Sequence, residues 1–237
     1  MAPVLELAVQ DVAGARIARR AGASRVELCT ALGATGGLTP SIGMIEAVVA
    51  QGIAVHPLIR CRPGGFVYDA DEIAVMARDI RAAVGTGASG VVVGALTPGL
   101  AVDRDALARL IDGIDPYAVE VTFHRAMDVV DDRATALDAL ARSGIIRVLT
   151  SGGAPRCIDG LDALSAMVAH AHGRIQVMAG GGIRVDDIAA VAGTGVDAVH
   201  LSARRTVADS GGPGGGSGDY DTVDETLALA AAAALGI

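Results

Sequence analysis

Short runs rich in Val, Ile and Leu recur eight times along the chain, and segments with the spacing of helices lie between them. Apolar runs that alternate with helical segments predict strands joined by helices. The predicted strands are residues 4–9, 25–29, 54–60, 90–96, 118–124, 147–151, 174–180 and 198–204. Helical spacing is clearest at residues 71–84 and 133–144, and the second of these ends at Gly144, a common helix stop signal.

Eight strand–helix units in 237 residues predict an α/β fold, with residues 1–237 forming a single (β/α)8 TIM barrel. A doubly wound open sheet also alternates strands and helices and is the competing fold. One segment departs from the pattern, because residues 210–218 read SGGPGGGSG. We expect this glycine-rich loop to be flexible, as a plain linker or as a lid over the barrel.

Composition and charge exclude several classes of function. The net charge is −8, no basic run occurs, and the chain has two Phe, three Tyr and no Trp, which argues against a nucleic-acid partner. No secretory signal is recognisable, and the longest apolar run, residues 227–237, is shorter than the ~20 residues that span a bilayer. The three cysteines are widely spaced and form no disulfide framework. We therefore expect a cytoplasmic protein without a membrane partner.

Side-chain alternation assigns one face of each predicted strand to the barrel interior. Apolar residues must pack on the surrounding helices, so that Leu5 and Leu7, for example, turn Glu6 inward. The residues predicted to face inward are Glu6, Glu27, Cys29, His56, Leu58, Arg60, Glu120, Thr122, His124, Thr150, His200, Ser202 and Arg204. An interior built for stability alone would hold Val, Ile and Leu, since an unpaired buried charge is costly. The alternative is a set of buried ion pairs with no chemistry.

Several polar residues follow the carboxyl ends of the predicted strands, where barrel enzymes keep their active sites. His124, Arg60 and Arg204 lie at such positions. Asp128 follows His124 closely and either orients it or caps the next helix. Glycine amides after the seventh strand bind phosphate in many barrels, which makes Gly180, Gly181 and Gly182 candidates for an anion site. The alternative for these glycines is a tight strand-to-helix turn.

Six motifs in order along the chain resemble those of the CutC family of TIM-barrel proteins. They are RVELC (25–29), GGLTPS (36–41), VTFHRAMD (121–128), RVLTSG (147–152), MAGGGI (178–183) and HLSAR (200–204). The resemblance implies a cytoplasmic barrel that forms a homo-oligomer and is linked to copper homeostasis, with reported copper binding and no settled enzymatic activity.

Two departures from the family pattern bear on copper. The copper site proposed for the family pairs cysteines of the first two strands, and here Ala8 stands at the first position, which leaves Cys29 alone. The stretch after the third strand reads RCRPGGF (60–66), where the family usually has Arg-Pro-Arg-Gly-Gly-Asp. Cu(I) prefers thiolate and thioether ligands, so the candidate metal ligands are Cys29 and His56, helped by Met178 or Cys61. A lone buried cysteine is more often an inert small apolar residue.

The residues themselves favour a second function, an enzyme acting on a small anionic molecule of phosphorylated or sugar-like type. In this hypothesis the acid and base come from Glu6 or Glu27 together with His124. Asp128 assists them, and Arg125 faces solvent or pairs locally. The residues expected to hold the substrate are Arg60, Thr150, Gly180, Gly181, Gly182, His200, Ser202 and Arg204.

The type of reaction follows from what the sequence lacks. All 19 basic residues are arginine, so no lysine is present to form a Schiff base. No redox-cofactor fingerprint or metal triad is recognisable, and no cofactor is predicted beyond possible copper. A lyase or isomerase (including an epimerase) without a redox cofactor fits this set. A non-catalytic scaffold would leave the polar interior unexplained.

Overall fold

The computed structural model describes residues 2–212 and 218–237, and its core is one sheet of eight parallel strands. The strands are β1 (Val4–Val9), β2 (Arg25–Leu28), β3 (Ala54–Pro57), β4 (Gly90–Val93), β5 (Glu120–Phe123), β6 (Arg147–Thr150), β7 (Gln176–Gly180) and β8 (Ala198–Leu201). Their order is β3-β2-β1-β8-β7-β6-β5-β4. A parallel bridge from Leu58 to Val92 joins the two outer strands, and Ile59 N donates to Val92 O at 2.8 Å. The predicted (β/α)8 TIM barrel is therefore confirmed.

Nine helices accompany the strands within the described ranges. They are α1 (Val12–Arg20), α2 (Leu32–Thr35), α3 (Ile42–Val49), α4 (Ala70–Gly85), α5 (Arg104–Leu110), α6 (Arg133–Arg142), α7 (Leu161–Ala171), α8 (Ile188–Ala192) and α9 (Glu225–Leu235). Aspartate side chains accept hydrogen bonds at the N-termini of five of them, at Asp11, Asp69, Asp103, Asp132 and Asp224. Much of the acidic charge thus stabilises helix starts. No helix in the described part of the chain is long and apolar enough to cross a membrane.

The two faces of the barrel wall carry different side chains, as the alternation predicts. Leu5, Leu7 and Val26 belong to the large apolar core that the strands share with the helices. Two small apolar clusters are separate from that core, one of Cys29, Leu58 and Val92 and the other of Leu149, Met178 and Ala198. These small clusters fill the interior of the barrel, between the polar residues that also point inward.

The face assigned to Thr150 is wrong. Arg147 on the same strand points inward, because its Nη1 donates to Thr122 Oγ1 at 3.1 Å. Alternation then turns Leu149 inward, where it packs with Met178, and sends Thr150 to the outer side. The assumption that a leucine must face the helices fails here because part of the interior is itself apolar.

The predicted eighth strand is also too long. β8 ends at Leu201, and Ala203 has φ 41°, in the left-handed region that turns the chain out of the barrel. Residues Arg204–Val207 form a further strand, β9, which pairs antiparallel with β10 (Tyr220–Val223). Residues 213–217 of the glycine-rich loop 210–218 lie outside the described residues, so its linker or lid role stays a prediction.

Candidate active site

A cavity of about 570 Å³ opens at the carboxyl ends of the barrel strands. It brings together nine of the predicted site residues: Glu27, Arg60, His124, Asp128, Gly181, Gly182, His200, Ser202 and Arg204. Apolar side chains complete its wall, among them Leu32, Leu58, Phe66, Leu149 and Ile183. Concave sites of this size with a few polar groups on an apolar wall are typical of small-molecule binding.

Glu27 is a buried carboxyl group at the wall of this cavity. Its side chain lies on β2, the residue is 5% exposed, and Oε2 has no hydrogen-bond partner among the described residues. Burial raises the pKa of Glu27 to about 7; the charge of His200 opposes this rise and that of Glu6 adds to it. Glu27 therefore exists as both carboxylate and carboxylic acid near neutral pH, which suits a group that transfers protons.

His124 is a neutral hydrogen-bond donor at the same cavity. It follows β5, and its Nδ1 accepts from Ala126 N at 3.1 Å. Because a backbone N–H can only donate, the ring proton of neutral His124 is on Nε2. Nε2 is buried and has no partner among the described residues. Burial, and secondly the charge of Arg60, lower the pKa of His124 to about 3, so the ring stays uncharged at neutral pH.

Glu6 lies beneath the cavity and does not line it. The residue is fully buried, its Oε1 accepts from His200 Nδ1 at 2.7 Å, and its Oε2 accepts from Arg25 Nε. Burial alone would raise the pKa of Glu6, but the hydrogen bond from His200 and the charge of Arg25 lower it to about 2. Glu6 is thus a partner of His200 and Arg25 outside the cavity lining, and its predicted acid–base role stays a prediction that this position does not support. Glu6 instead holds His200, whose own pKa burial would lower but the bond to Glu6 raises.

A layer of ion pairs fills the barrel towards the amino ends of the strands. Arg147 donates to Glu120 Oε2 at 3.0 Å and to Gln176 Oε1 at 2.9 Å. His56 Nε2 lies 3.7 Å from the same Glu120 oxygen, and burial lowers the pKa of His56 to about 4. This end of the barrel thus consists of buried Arg147 and His56 around the half-exposed carboxylate of Glu120, and His56 Nδ1 has no partner among the described residues.

Asp128 organises a loop at the rim of the cavity. Its Oδ1 accepts from Thr150 Oγ1 at 2.6 Å, from Ser151 N at 2.9 Å and from Gly153 N at 3.2 Å. Its Oδ2 accepts from Arg125 Nε at 2.7 Å. These bonds fix the loop after β6 and explain why Thr150, predicted to bind substrate, is buried against Asp128 instead.

The prediction that Asp128 orients His124 is wrong. The only His124 nitrogen that accepts a hydrogen bond receives it from Ala126, and within the described residues Asp128 makes no bond to the ring. Asp128 positions Arg125, a residue that the sequence predicts to face solvent or pair locally. Arg125 lines the cavity because the chain enters a 3₁₀ turn directly after β5, which ends the strand alternation.

The glycine turn after β7 divides into two parts. Gly181 and Gly182 line the cavity with positive φ values of 122° and 63°. A Cβ at Gly181 would lie 2.8 Å from Cζ of Arg125, so glycine lets this guanidinium approach the turn. Gly180 does not line the cavity, and a Cβ there would meet Leu149 Cδ1 at 2.5 Å. Gly180 is a packing position within the strand, so its predicted anion-binding role stays a prediction that the cavity lining does not support.

The two predicted anion-binding arginines differ. Arg60 is buried, and its guanidinium donates only to carbonyls, at 2.9 Å to Thr35 O, 3.1 Å to Gly37 O and 2.5 Å to Gly64 O. Within the described ranges no carboxylate forms a salt bridge with Arg60. The side chain of Arg204 is 51% exposed and paired with Asp221 at 2.8 Å, so it reaches the cavity only at the rim. Arg60 is thus the buried cation whose charge a bound anion would neutralise.

Comparison with known proteins identifies the family. The model of the CutC family matches residues 3–205. A CutC family protein of Caulobacter vibrioides is 44% identical over 200 residues, which cover 84% of this chain and 80% of that protein. A relative from Xanthomonas campestris pv. campestris is 44% identical over 206 residues, covering 86% of this chain and 85% of its own length. The chain belongs to the CutC family.

The fold agrees with a solved CutC structure. The crystal structure of CutC from Streptococcus agalactiae, a protein named for copper homeostasis, has a TM-score of 0.78 and 32% sequence identity to this chain. The match covers 84% of this chain and 98% of the S. agalactiae chain. CutC membership links the present chain to copper homeostasis by name only. Whether it binds copper depends on the donor atoms of its own residues.

The predicted copper ligands of this CutC chain do not fit a Cu(I) site. Cys29 packs against Leu58 and Val92, and burial raises the pKa of its thiol well above the usual value, which disfavours the thiolate that binds metal. Met178 Sδ accepts from Arg25 Nη2 at 3.3 Å. His56 lies in the ion-paired layer near Glu120. Neither Cys29 nor His56 lines the cavity, and no thiol or thioether does so among the described residues.

Proposed function

We propose that this CutC-family protein is a lyase or isomerase that moves a proton on a small anionic molecule. The observation that carries the proposal is a pair of buried polar atoms, Glu27 Oε2 and His124 Nε2. Both side chains line one cavity, and neither atom has a partner among the described residues. Arg60 Nε is a third such atom on a residue that lines the same cavity. An unsatisfied buried polar group costs ~1–3 kcal/mol, so three at one cavity support a ligand that supplies their partners.

The two groups have complementary chemistry. Ionised Glu27 accepts a proton from a carbon next to a carbonyl group, and with a pKa of about 7 it also returns that proton. Neutral His124 donates from Nε2 to the carbonyl oxygen, on which negative charge develops as the proton leaves. This pair suffices for isomerisation or epimerisation, and for elimination once a leaving group is present.

The charges around the cavity favour an anionic substrate. Arg60 supplies a buried positive charge without a carboxylate partner, next to His124. On another part of the wall, Arg125 lies over the Gly181 turn, and Ser202 offers a hydroxyl group. A carboxylate or phosphate group is the kind of ligand that these donors hold.

Exchange of substrate hydrogen for solvent deuterium tests the proposal. The protein is incubated in D₂O with a panel of phosphorylated sugars, sugar acids and 2-oxo acids, and loss of C–H signals is followed by proton NMR. We expect exchange with at least one compound, and a rate about 10²–10⁴-fold lower for Glu27→Gln. Cys29→Ser, a buried change in the same barrel, is the matched control and should exchange at the wild-type rate. Equal rates for Glu27→Gln and the wild type would contradict the role of Glu27.

Cytoplasmic location and homo-oligomeric assembly stay proposals that the family resemblance supports, whereas copper binding has only that resemblance in its favour. For copper, the donor set supports no stoichiometric site at Cys29 and His56. We expect a Cu(I) titration under reducing conditions to give less than one bound ion per chain, unchanged by Cys29→Ser. One equivalent of Cu(I) that disappears in Cys29→Ser would restore copper binding as the function.

A further inference from the structure

Three potential metal ligands meet at the floor of the cavity. Glu6, Glu27 and His200 each offer one ligand atom, and these atoms all lie within 4.8 Å of one another. Donors bound at ~2.0–2.2 Å to a common ion lie up to ~4.4 Å apart, so small side-chain rotations suffice to close the set. Glu27 and His200 line the cavity, which leaves further coordination positions open to water or to a ligand.

A second observation points to a ligand at this cluster. Glu27 is 95% buried, being 5% exposed, and its Oε2 has no partner among the described residues. The Glu6 oxygens accept from His200 and from Arg25, and in the part of the chain that the structure describes no other arginine forms a salt bridge with Glu6 or Glu27. Two buried carboxylates this close together are poorly compensated by a single arginine and a histidine.

We propose that Glu6, Glu27 and His200 form a binding site for one divalent cation with a preference for oxygen and nitrogen ligands, such as Mn²⁺ or Zn²⁺. Two carboxylates and one imidazole match the donor preference of these ions. The cluster has no sulfur ligand, so it differs in residues and in chemistry from a Cu(I) site at Cys29. The cation would take a ring-nitrogen lone pair of His200 and one oxygen of each carboxylate. Any proton that these atoms hold, including the carboxyl proton of Glu27, passes to solvent.

A cation at this position has a consequence for the cavity. A cation bound to the Glu27 carboxylate lowers the basicity of the group that the proposed function uses as a base, so bound metal inhibits proton transfer. Binding itself does not depend on the proposed function, because it is measured without any substrate. The two inferences therefore succeed or fail separately.

The test uses the full chain after treatment with EDTA and dialysis. Mn²⁺ is titrated by electron paramagnetic resonance, which counts free ions, and Zn²⁺ by calorimetry. We expect one ion per chain, and at least ~10-fold weaker binding for Glu27→Gln and for His200→Ala, since each removes a ligand. Glu120→Gln is the matched control, because it removes a carboxylate from the other end of the same interior and should leave the affinity unchanged.

The variants must fold for a loss of metal affinity to reflect a lost ligand. Glu27→Gln has the shape of the native side chain and removes a buried charge, so it is expected to fold, and its melting curve checks this. The inference is overturned if no saturable binding occurs, or if Glu27→Gln and His200→Ala bind as tightly as the wild type. If the protein binds the metal but catalyses no deuterium exchange, with or without bound metal, the proposed function is overturned and the cation site stands. Exchange that is unaffected by Mn²⁺ under saturating conditions would overturn the inhibitory role.

Discussion

Two glutamates of the barrel interior show how neighbours set the chemistry of one residue type. Glu6 and Glu27 lie on adjacent strands and are both buried. The pKa of Glu6 is about 2, because His200 and Arg25 overcome the effect of burial, whereas burial dominates at Glu27 and its pKa is about 7. A buried carboxylate with two cationic partners is structural, and one with a free oxygen at a cavity is available for chemistry.

Glu27→Gln should stabilise the fold at alkaline pH. The pKa of Glu27 rises from 4.5 to about 7 on folding, so the native protein loses stability as pH rises from 4.5 to 7, and the full penalty persists above pH 7. We expect the variant to unfold with a free energy ~2–3 kcal/mol higher than the wild type at pH 8, and with nearly the same value at pH 4. Urea unfolding at both pH values measures this. An equal stability at pH 8 would show that Glu27 ionises normally.

Glu6→Gln should have the opposite effect. The change leaves Arg25 buried and without its carboxylate, which costs ~3–5 kcal/mol of unfolding free energy near neutral pH. The pKa of Glu6 is lowered on folding, so this stabilisation is present above pH 4.5 and is lost as pH falls towards about 2. Glu225→Gln is the control, since it breaks the exposed Arg20–Glu225 pair and should hardly change stability. A Glu6→Gln variant as stable as Glu225→Gln would rule out the buried ion pair.

At the scale of the element, glycines make room for the interior polar groups. Gly94 follows β4, and a Cβ at this position would lie 2.2 Å from Cε1 of the His124 ring. The His124 ring also contacts Phe66, with 4.8 Å between ring centroids, so it has little freedom to move away. The residue after β4 therefore fixes the position of His124, which follows β5.

Gly94→Ala should displace His124. Overpacking of this kind destabilises by ~1–3 kcal/mol, and we expect it also to slow the deuterium exchange described above. Gly85→Ala is the control: Gly85 ends α4, a Cβ there meets nothing within 4 Å, and alanine favours the helix. Melting temperatures and deuterium-exchange rates of the two variants are compared with those of the wild type. Wild-type behaviour of Gly94→Ala would mean that the His124 ring is not held as described.

The sequence predicts the elements better than it predicts their ends. All eight barrel strands were predictable from alternation and apolar runs, and so were the inward positions of Glu27, His56 and His124. The alternation of side chains no longer predicts their direction where the backbone leaves the strand. It fails at Arg204, because Ala203 adopts a left-handed φ. Arg125 pairs locally with Asp128, as the sequence predicts, but alternation gives no sign that a 3₁₀ turn also places it at the cavity. The barrel face of Thr150 is predicted wrongly, because this interior accommodates a leucine side chain as well as charged ones.

Viewed as a whole molecule, the barrel interior has two unlike halves. Towards the amino ends of the strands, Glu120 and Arg147 neutralise each other and His56 is kept uncharged. Towards the carboxyl ends, Glu27 and His124 line a cavity, and each has one buried side-chain atom without a hydrogen-bond partner among the described residues. The alternation of side chains along a strand does not distinguish these halves. The difference depends on which charged groups find partners across the barrel, and only three-dimensional positions show this.

Direct measurement of the ionisation of Glu27 and His124 shows whether the cavity holds a base and a neutral hydrogen-bond donor. In protein labelled with ¹³C and ¹⁵N, the side-chain carboxyl carbon of Glu27 and the ring nitrogens of His124 are followed by NMR from pH 4 to pH 9. We expect a Glu27 midpoint of about 7, and a His124 ring that stays neutral with its proton on Nε2 across the whole range. A Glu27 midpoint at 4.5, the ordinary value, together with a His124 ring that titrates near 6.5, would contradict both expectations.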